Sequence, residues 1–179
     1  MMNRKVLALA LMLAVVALSS CGALATPALT EGAATYDDAF AYCAAVGTAD
    51  APGAEYTGPQ VPDLVIKGIQ TALDVPDTPL DYLENGTSWR CMDGHVYACF
   101  VGANLPCGAK AQTDEAPSEG AVEFCDQNPD ADVVPAVATG RETVYTWRCS
   151  GGEPEVVEQV FHPDAQGYIA EIWYKIASQ

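Results

Sequence analysis

Cys43, Cys91, Cys99, Cys107, Cys125 and Cys149 constrain this chain more than any other feature, because they lie behind what reads as an export leader. Arg4 and Lys5 precede a run from Val6 to Leu18 without charge or strong polarity, which ends against Ser19 and Ser20. A spanning helix needs about 20 apolar residues to cross ~30 Å of hydrocarbon, and this run is shorter, so it is expected to be a signal peptide. In an oxidising compartment an even set of cysteines predicts three disulfides, although spacing alone leaves their pairing undetermined. A structural zinc site would need cysteines about two to four positions apart with a histidine partner, and no such pair occurs. Nor is there a C-x-x-C redox motif.

The seventh cysteine ends Leu18-Ser19-Ser20-Cys21, which resembles the lipobox of bacterial lipoproteins: an aliphatic residue, two small ones, then the cysteine that receives lipid. That resemblance makes Cys21 the lipidated first residue of the mature chain and puts the protein in the cell envelope, attached to the membrane outside the cytoplasm. Two or more acyl chains hold a protein to a bilayer stably, at about 0.8 kcal/mol for each buried methylene. Ala23-Leu24-Ala25 offers a competing small-x-small cleavage site, after which the domain would be secreted in soluble form. The expected organisation is a signal peptide over 1–20, a flexible tether over 21–35 and one disulfide-stapled domain over 36–179.

From Cys21 onward six basic side chains face all 24 carboxylates, a formal charge of −18. Phosphate contacts would have to overcome that field, which disfavours nucleic acid and anionic lipid surfaces as partners. Basic proteins and cations are the partners such a surface attracts, and the same charge also promotes solubility.

A duplication orders the domain. Trp89-Arg90-Cys91-Met92-Asp93-Gly94 recurs as Trp147-Arg148-Cys149-Ser150-Gly151-Gly152, and Ala39-Phe40-Ala41-Tyr42-Cys43 is matched by Ala121-Val122-Glu123-Phe124-Cys125. Two related halves, about 36–110 and 111–179, are implied. Each opens with a helix. The first is expected to be capped by Thr35, to bury Phe40, Cys43 and Ala44 and to end at Gly47; the second is capped by Ser118, buries Val122 and Cys125 and stops at Pro129. Asp93-Gly94 predicts a tight hairpin between Thr87–Cys91 and Val96–Phe100. In the second half Thr143–Cys149, Glu155–Phe161 and Tyr168–Ile176 predict a three-strand meander that buries the uncharged face Tyr168, Ala170, Ile172, Tyr174 and Ile176. Pro62 to Leu73 predicts a core helix with Leu64, Val65, Ile69 and Leu73 on one face, and Pro76, Pro79 and Asn85-Gly86 predict a loop after it. The fold class is α+β, with short helices packed on antiparallel hairpins and a meander.

Equivalent cysteines of two related halves should pair equivalently. Cys43 would then bond Cys91, Cys125 would bond Cys149, and Cys99 with Cys107 would close a short loop through Gly102, Asn104 and Pro106. Cys91 and Cys99 flank one hairpin, so a cross-strand bridge between them, with Cys43 bonded to Cys107, is the alternative. The Tyr42-Cys43-Ala44-Ala45-Val46-Gly47 start and the repeated Trp-Arg-Cys resemble a group of uncharacterised exported bacterial lipoproteins, over most of the chain from Tyr42 onward. That resemblance implies no activity, cofactor or site residue.

Asp126, Asn128, Asp130 and Asp132 alternate oxygen ligands as a calcium loop begins, but Ala131 and Val137 stand where the loop's glycine and bidentate glutamate belong. A solvated loop is the simpler reading, so no metal or other cofactor is expected. His95 and His162, the two histidines, both fall at hairpin turns. Without a free cysteine or a Gly-x-Ser-x-Gly turn, an enzyme would have to act through carboxylates. Trp89 and Trp147 are expected in the core, and Arg90 and Arg148, on the opposite faces of their strands, paired with acids. The expected function is a membrane-anchored binding or envelope-interaction module, one version being an inhibitor of a basic hydrolase such as lysozyme. The alternative is a carboxylate- or calcium-dependent extracytoplasmic enzyme.

Overall fold

A computed structural model describes residues 34–102 and 104–178. Cys21, the leader 1–20 and nearly all of the tether 21–35 lie outside the described residues. The fold is α+β: helices α1 (Ala39–Val46), α2 (Asp63–Ala72) and α3 (Leu80–Gly86), strands β1 (Thr87–Met92) and β2 (His95–Phe100), helices α4 (Glu119–Gln127) and α5 (Ala136–Thr139), strands β3 (Tyr145–Ser150) and β4 (Glu153–Gln159), a 3₁₀ turn over Ala170–Ile172, and strand β5 (Tyr174–Lys175).

Two tight hairpins form the frame. Asp93-Gly94 (φ 51° and 77°) and Gly151-Gly152 (φ 61° and 92°) both take the left-handed pair of conformations that matches strand twist in a two-residue turn. The resulting ladders place Arg90 opposite Tyr97 and Arg148 opposite Glu155, while a bulge interrupts the second between Thr146 and Trp147.

Three disulfides brace the frame: Cys43–Cys91, Cys99–Cys107 and Cys125–Cys149. The first and third each tie a helix, α1 or α4, to the Trp-Arg-Cys strand of its own half. Around them the two hairpins make the same contacts. Ala49 exchanges both backbone hydrogen bonds with Cys91 (3.0 and 2.9 Å), and the Cys149 N–H donates to the Ala131 carbonyl (2.8 Å). Gly94 N–H donates to Gly47 O (2.8 Å) as Gly152 N–H does to Pro129 O (3.0 Å). The chain leaving each helix therefore lies along the first strand of each hairpin.

Several local expectations are corrected. The cap of α1 is Asp38, whose Oδ1 accepts from Ala41 N–H at 2.7 Å, because the helix begins only at Ala39; Thr35 precedes the turn. Ser118 does cap α4. The faces are rotated: α1 buries Ala39, Tyr42 and Cys43, α4 buries Ala121 and Cys125 with Val122 exposed, and α2 buries Val65, Ile66 and Ile69. Part of the expected Pro76–Gly86 loop is α3, whose Leu83 is fully buried in one core cluster with α2 and β1–β2; the helix begins at Leu80, with Pro79 at its N-cap.

The largest correction concerns the C-terminal segment. Tyr168–Ile176 does not complete a meander on β4. It crosses to the first half, where β5 pairs with β2 (Tyr97↔Lys175, Ala98↔Tyr174), giving a sheet in the order β1-β2-β5 and leaving β3-β4 as a separate pair. The two-residue alternation fails because the 3₁₀ turn shifts its phase. Ile169, Ile172, Trp173 and Ile176 are buried together with Tyr168, a spacing of about one helical turn. Ile176 packs on α2 against Gly68, where any Cβ would collide with its side chain.

Candidate functional site

The most chemically dense place in the domain is built around Arg90. Its side chain is fully buried, with the guanidinium carbon 4.5 Å from the ring centre of Tyr168, 4.4 Å from that of Trp173 and 6.0 Å from that of Tyr97. Asp164 forms an ion pair with one terminal nitrogen, and Gln166 Oε1 accepts from the other at 2.5 Å. A planar, weakly hydrated guanidinium suits such a slot between aromatic faces. Asp164 is itself held by the N–H groups of Gln166 (2.9 Å) and Tyr168 (3.1 Å). The network continues outward: Gln166 Nε2 donates to Asp50 (2.7 Å), and Lys110 donates to Asp50 (2.6 Å) and to Gln166 O (2.7 Å) while lying 3.6 Å over the Tyr168 ring. The hydrogen bond from Lys110 holds the Asp50 carboxyl below the ordinary aspartate value.

The charged groups of this network satisfy one another, although the buried Arg90 Nε–H and Trp173 Nε1–H have no hydrogen-bond partner among the described residues. The aromatic slot that could have taken a foreign cation is filled by Arg90, and every carboxylate in it has a cationic or amide partner. Its role is to clamp the C-terminal segment onto the β1–β2 sheet. Arg148, at the equivalent position of the second hairpin, has no such cover: it pairs across the strands with Glu155 (2.7 and 3.1 Å) in the open. That ion pair holds Glu155 below the usual glutamate value.

A groove lies beside each repeated tryptophan. Next to Trp89 a cavity of about 310 Å³ is lined by Pro52, Tyr56, Gln60, Val61 and Thr87. Next to Trp147 one of about 200 Å³ is lined by Val134, Ala136, Thr139, Val160 and Phe161 among others. Both tryptophans are buried, their indole N–H groups donating to Gln60 O (2.7 Å) and to Thr143 Oγ1 (3.3 Å). Burial, and then the charges of Asp38 and Asp37, push the Tyr56 phenol up, so it remains a donor, here to Pro59 O at 3.0 Å. Neither groove is lined by a carboxylate.

The candidate ligands Asp126, Asn128, Asp130 and Asp132 are all exposed and are not gathered around one point. Asp126 lies within α4, and Asn128 caps its end, its side-chain amide donating to Phe124 O at 2.9 Å. Among the described residues no group of three or more His, Cys, Asp or Glu side chains is placed to hold a metal ion. His162 and Glu171 meet at 2.9 Å on the surface, far along the chain from His95. Sequence reasoning missed Asp164 and Gln166 as partners of Arg90, and Asp50 and Lys110 as the outer part of the network, since nothing in their spacing marks them. Comparison of the chain with protein-family models, curated proteins and solved structures finds no match.

Proposed function

We propose that this protein is a lipid-anchored, extracytoplasmic binding module that presents an acidic, disulfide-braced surface to a basic partner protein. The observation that carries the reading is where the cations go. Of the six basic side chains after Cys21, Arg90, Lys110 and Arg148 are each committed to a carboxylate of the same domain, and most of the carboxylates among the described residues are exposed with no ion-pair partner there. A field of that sign accelerates encounter with cationic surfaces and repels anionic ones. The Leu18-Ser19-Ser20-Cys21 motif supplies the anchor, which would hold that surface at the membrane without burying it. No specific observation favours the carboxylate- or calcium-dependent enzyme.

Two measurements test the reading. Mass spectrometry of the mature N-terminus should find lipid on Cys21, and an unmodified chain starting at Thr26 would refute the anchor. The purified domain should bind a small basic protein with an affinity that falls steeply as salt rises, and should ignore DNA; salt-independent or absent binding would refute the acidic-surface reading.

A further inference from the structure

We propose that the outer edge of β4 takes up an extended, basic segment of the partner as an added third strand, an inference that rests on the binding-module reading and names its site. The two hairpins differ in how their outer edges are covered. Each has its first strand covered by the chain leaving its helix, through Ala49 on Cys91 and Ala131 on Cys149. In the first hairpin the second strand is also covered: β5 pairs along β2, and Ile176 N–H donates to Val96 O at 2.9 Å. In the second hairpin no strand among the described residues pairs with β4 on that side.

Register identifies the free groups. A two-residue turn closes on a hydrogen-bonded pair, here Ser150 with Glu153, so the next pair and every second one after it direct their backbone groups away from the hairpin. This places the Pro154 carbonyl and both backbone groups of Val156 on the open edge, at the positions occupied in β2 by Val96 and Ala98. Proline there removes a donor but keeps the acceptor, and the acceptor is what Val96 gives to Ile176. Among the described residues outside the hairpin none hydrogen-bonds to Pro154 or Val156.

The chemistry of the occupant follows from what lines the edge. Glu153, Glu155 and Glu158 are exposed along β4, and Val157 is 53% exposed. The strand that fills the equivalent edge of β2 reads Tyr174-Lys175-Ile176, apolar, basic, apolar, with Lys175 opposite Tyr97. Glu155, which stands where Tyr97 stands, already pairs with Arg148, so the carboxylates open to a lysine or arginine of the added strand are those of Glu153 and Glu158. Proline and charge on an edge strand guard against indiscriminate pairing. Here the charges share one sign, so they turn away a second copy of this acidic chain and admit a basic strand, whose main-chain bonds give affinity while alternate side chains give selectivity.

The test uses the mature, disulfide-intact chain and two synthetic peptides: one with the sequence of Ile172 to Ser178 extended by lysines, the other identical but with glutamate at every lysine. The basic peptide should slow hydrogen exchange at the Val156 amide and leave β2 unchanged, and the acidic peptide should do neither. Val156→Pro should weaken binding of the basic peptide by about tenfold or more, through loss of the one outward N–H. Should that variant not fold, Glu153→Lys with Glu158→Lys, at exposed positions, should give a comparable loss. Undiminished binding to the variants that fold, protection at β2 in place of β4, or protection of Val156 by rising protein concentration without peptide would each overturn the proposal, the last by assigning the edge to a second copy. If the basic peptide does not bind while the domain still binds a basic protein in a salt-dependent way, the edge inference alone fails; if neither binds, the binding-module reading fails with it.

Discussion

Arg90 and Arg148 are one residue of one motif, yet their surroundings give them different physics. Arg90 is inside, stacked between Tyr168 and Trp173 and paired with Asp164, itself 8% exposed; Arg148 is 55% exposed beside Glu155. Removing one member of a buried pair strands the other charge, which costs about 3–5 kcal/mol, whereas an exposed pair is screened by water. Arg90→Ala should therefore lower stability in denaturant titration by an amount in that range, and Arg148→Ala should leave the midpoint close to that of the parent. Arg90→Lys should recover only part of the loss, because an ammonium cannot stack in the slot or reach Asp164 and Gln166 together. Equal effects at Arg90 and Arg148 would refute the clamp. Asp50 adds an acid-side contribution. Its folded value is depressed, so the stability it gives is present above the ordinary aspartate range and is lost as pH falls through the folded value. Asp50→Asn should flatten that part of the pH profile, by a small amount because the pair with Lys110 is half exposed.

Among the elements, the disulfides divide the work by loop length. Cys43–Cys91 spans 48 residues, Cys125–Cys149 spans 24 and Cys99–Cys107 spans 8. The chain-entropy account assigns them about 4, 3.5 and 2.5 kcal/mol. Replacing each pair by serines should therefore destabilise in that order, as read from denaturant midpoints, and the reverse order would show that folded-state packing governs instead. Ile176→Ala should cost about 2–5 kcal/mol, since the Ile176 side chain is buried against α2, while the backbone N–H that donates to Val96 O is kept. The hairpins were legible because Asp-Gly and Gly-Gly turns carry a local conformational requirement, and the helix caps were nearly so. The crossing of the C-terminal segment was not. Its Tyr-x-Ala-x-Ile-x-Tyr alternation is a true local signal for a strand, but the decisive interaction is the cover it gives to a buried guanidinium more than 70 positions earlier, as the Arg90 to Asp164 separation of 74 shows. Alternation along one segment says nothing about which sheet will take it. For the same reason the open edge of β4 was invisible in the sequence, where the expected third strand concealed it.

For the molecule as a whole, the excess of acid makes two opposite demands on salt. The carboxylates outnumber the cations so heavily that the folded domain repels itself, and the buried ion pair Arg90–Asp164 lies where added salt screens it least. Screening should thus relieve more repulsion than it removes attraction. Thermal melts from about 10 mM to about 0.5 M sodium chloride, over which the screening length falls from ~30 Å to a few Å, should move the midpoint upward. Sodium chloride is the salt of choice because sulfate would strengthen apolar burial by exclusion and confuse the sign. Over the same range, association with a basic partner should weaken, since the field that destabilises the isolated fold is the one that draws the partner in. Opposite slopes in the two titrations would tie both effects to one surface charge. A midpoint that falls with salt would instead mean that the exposed pairs of Lys110 and Arg148 outweigh the repulsion, and the acidic surface would lose its place as the dominant feature of the molecule.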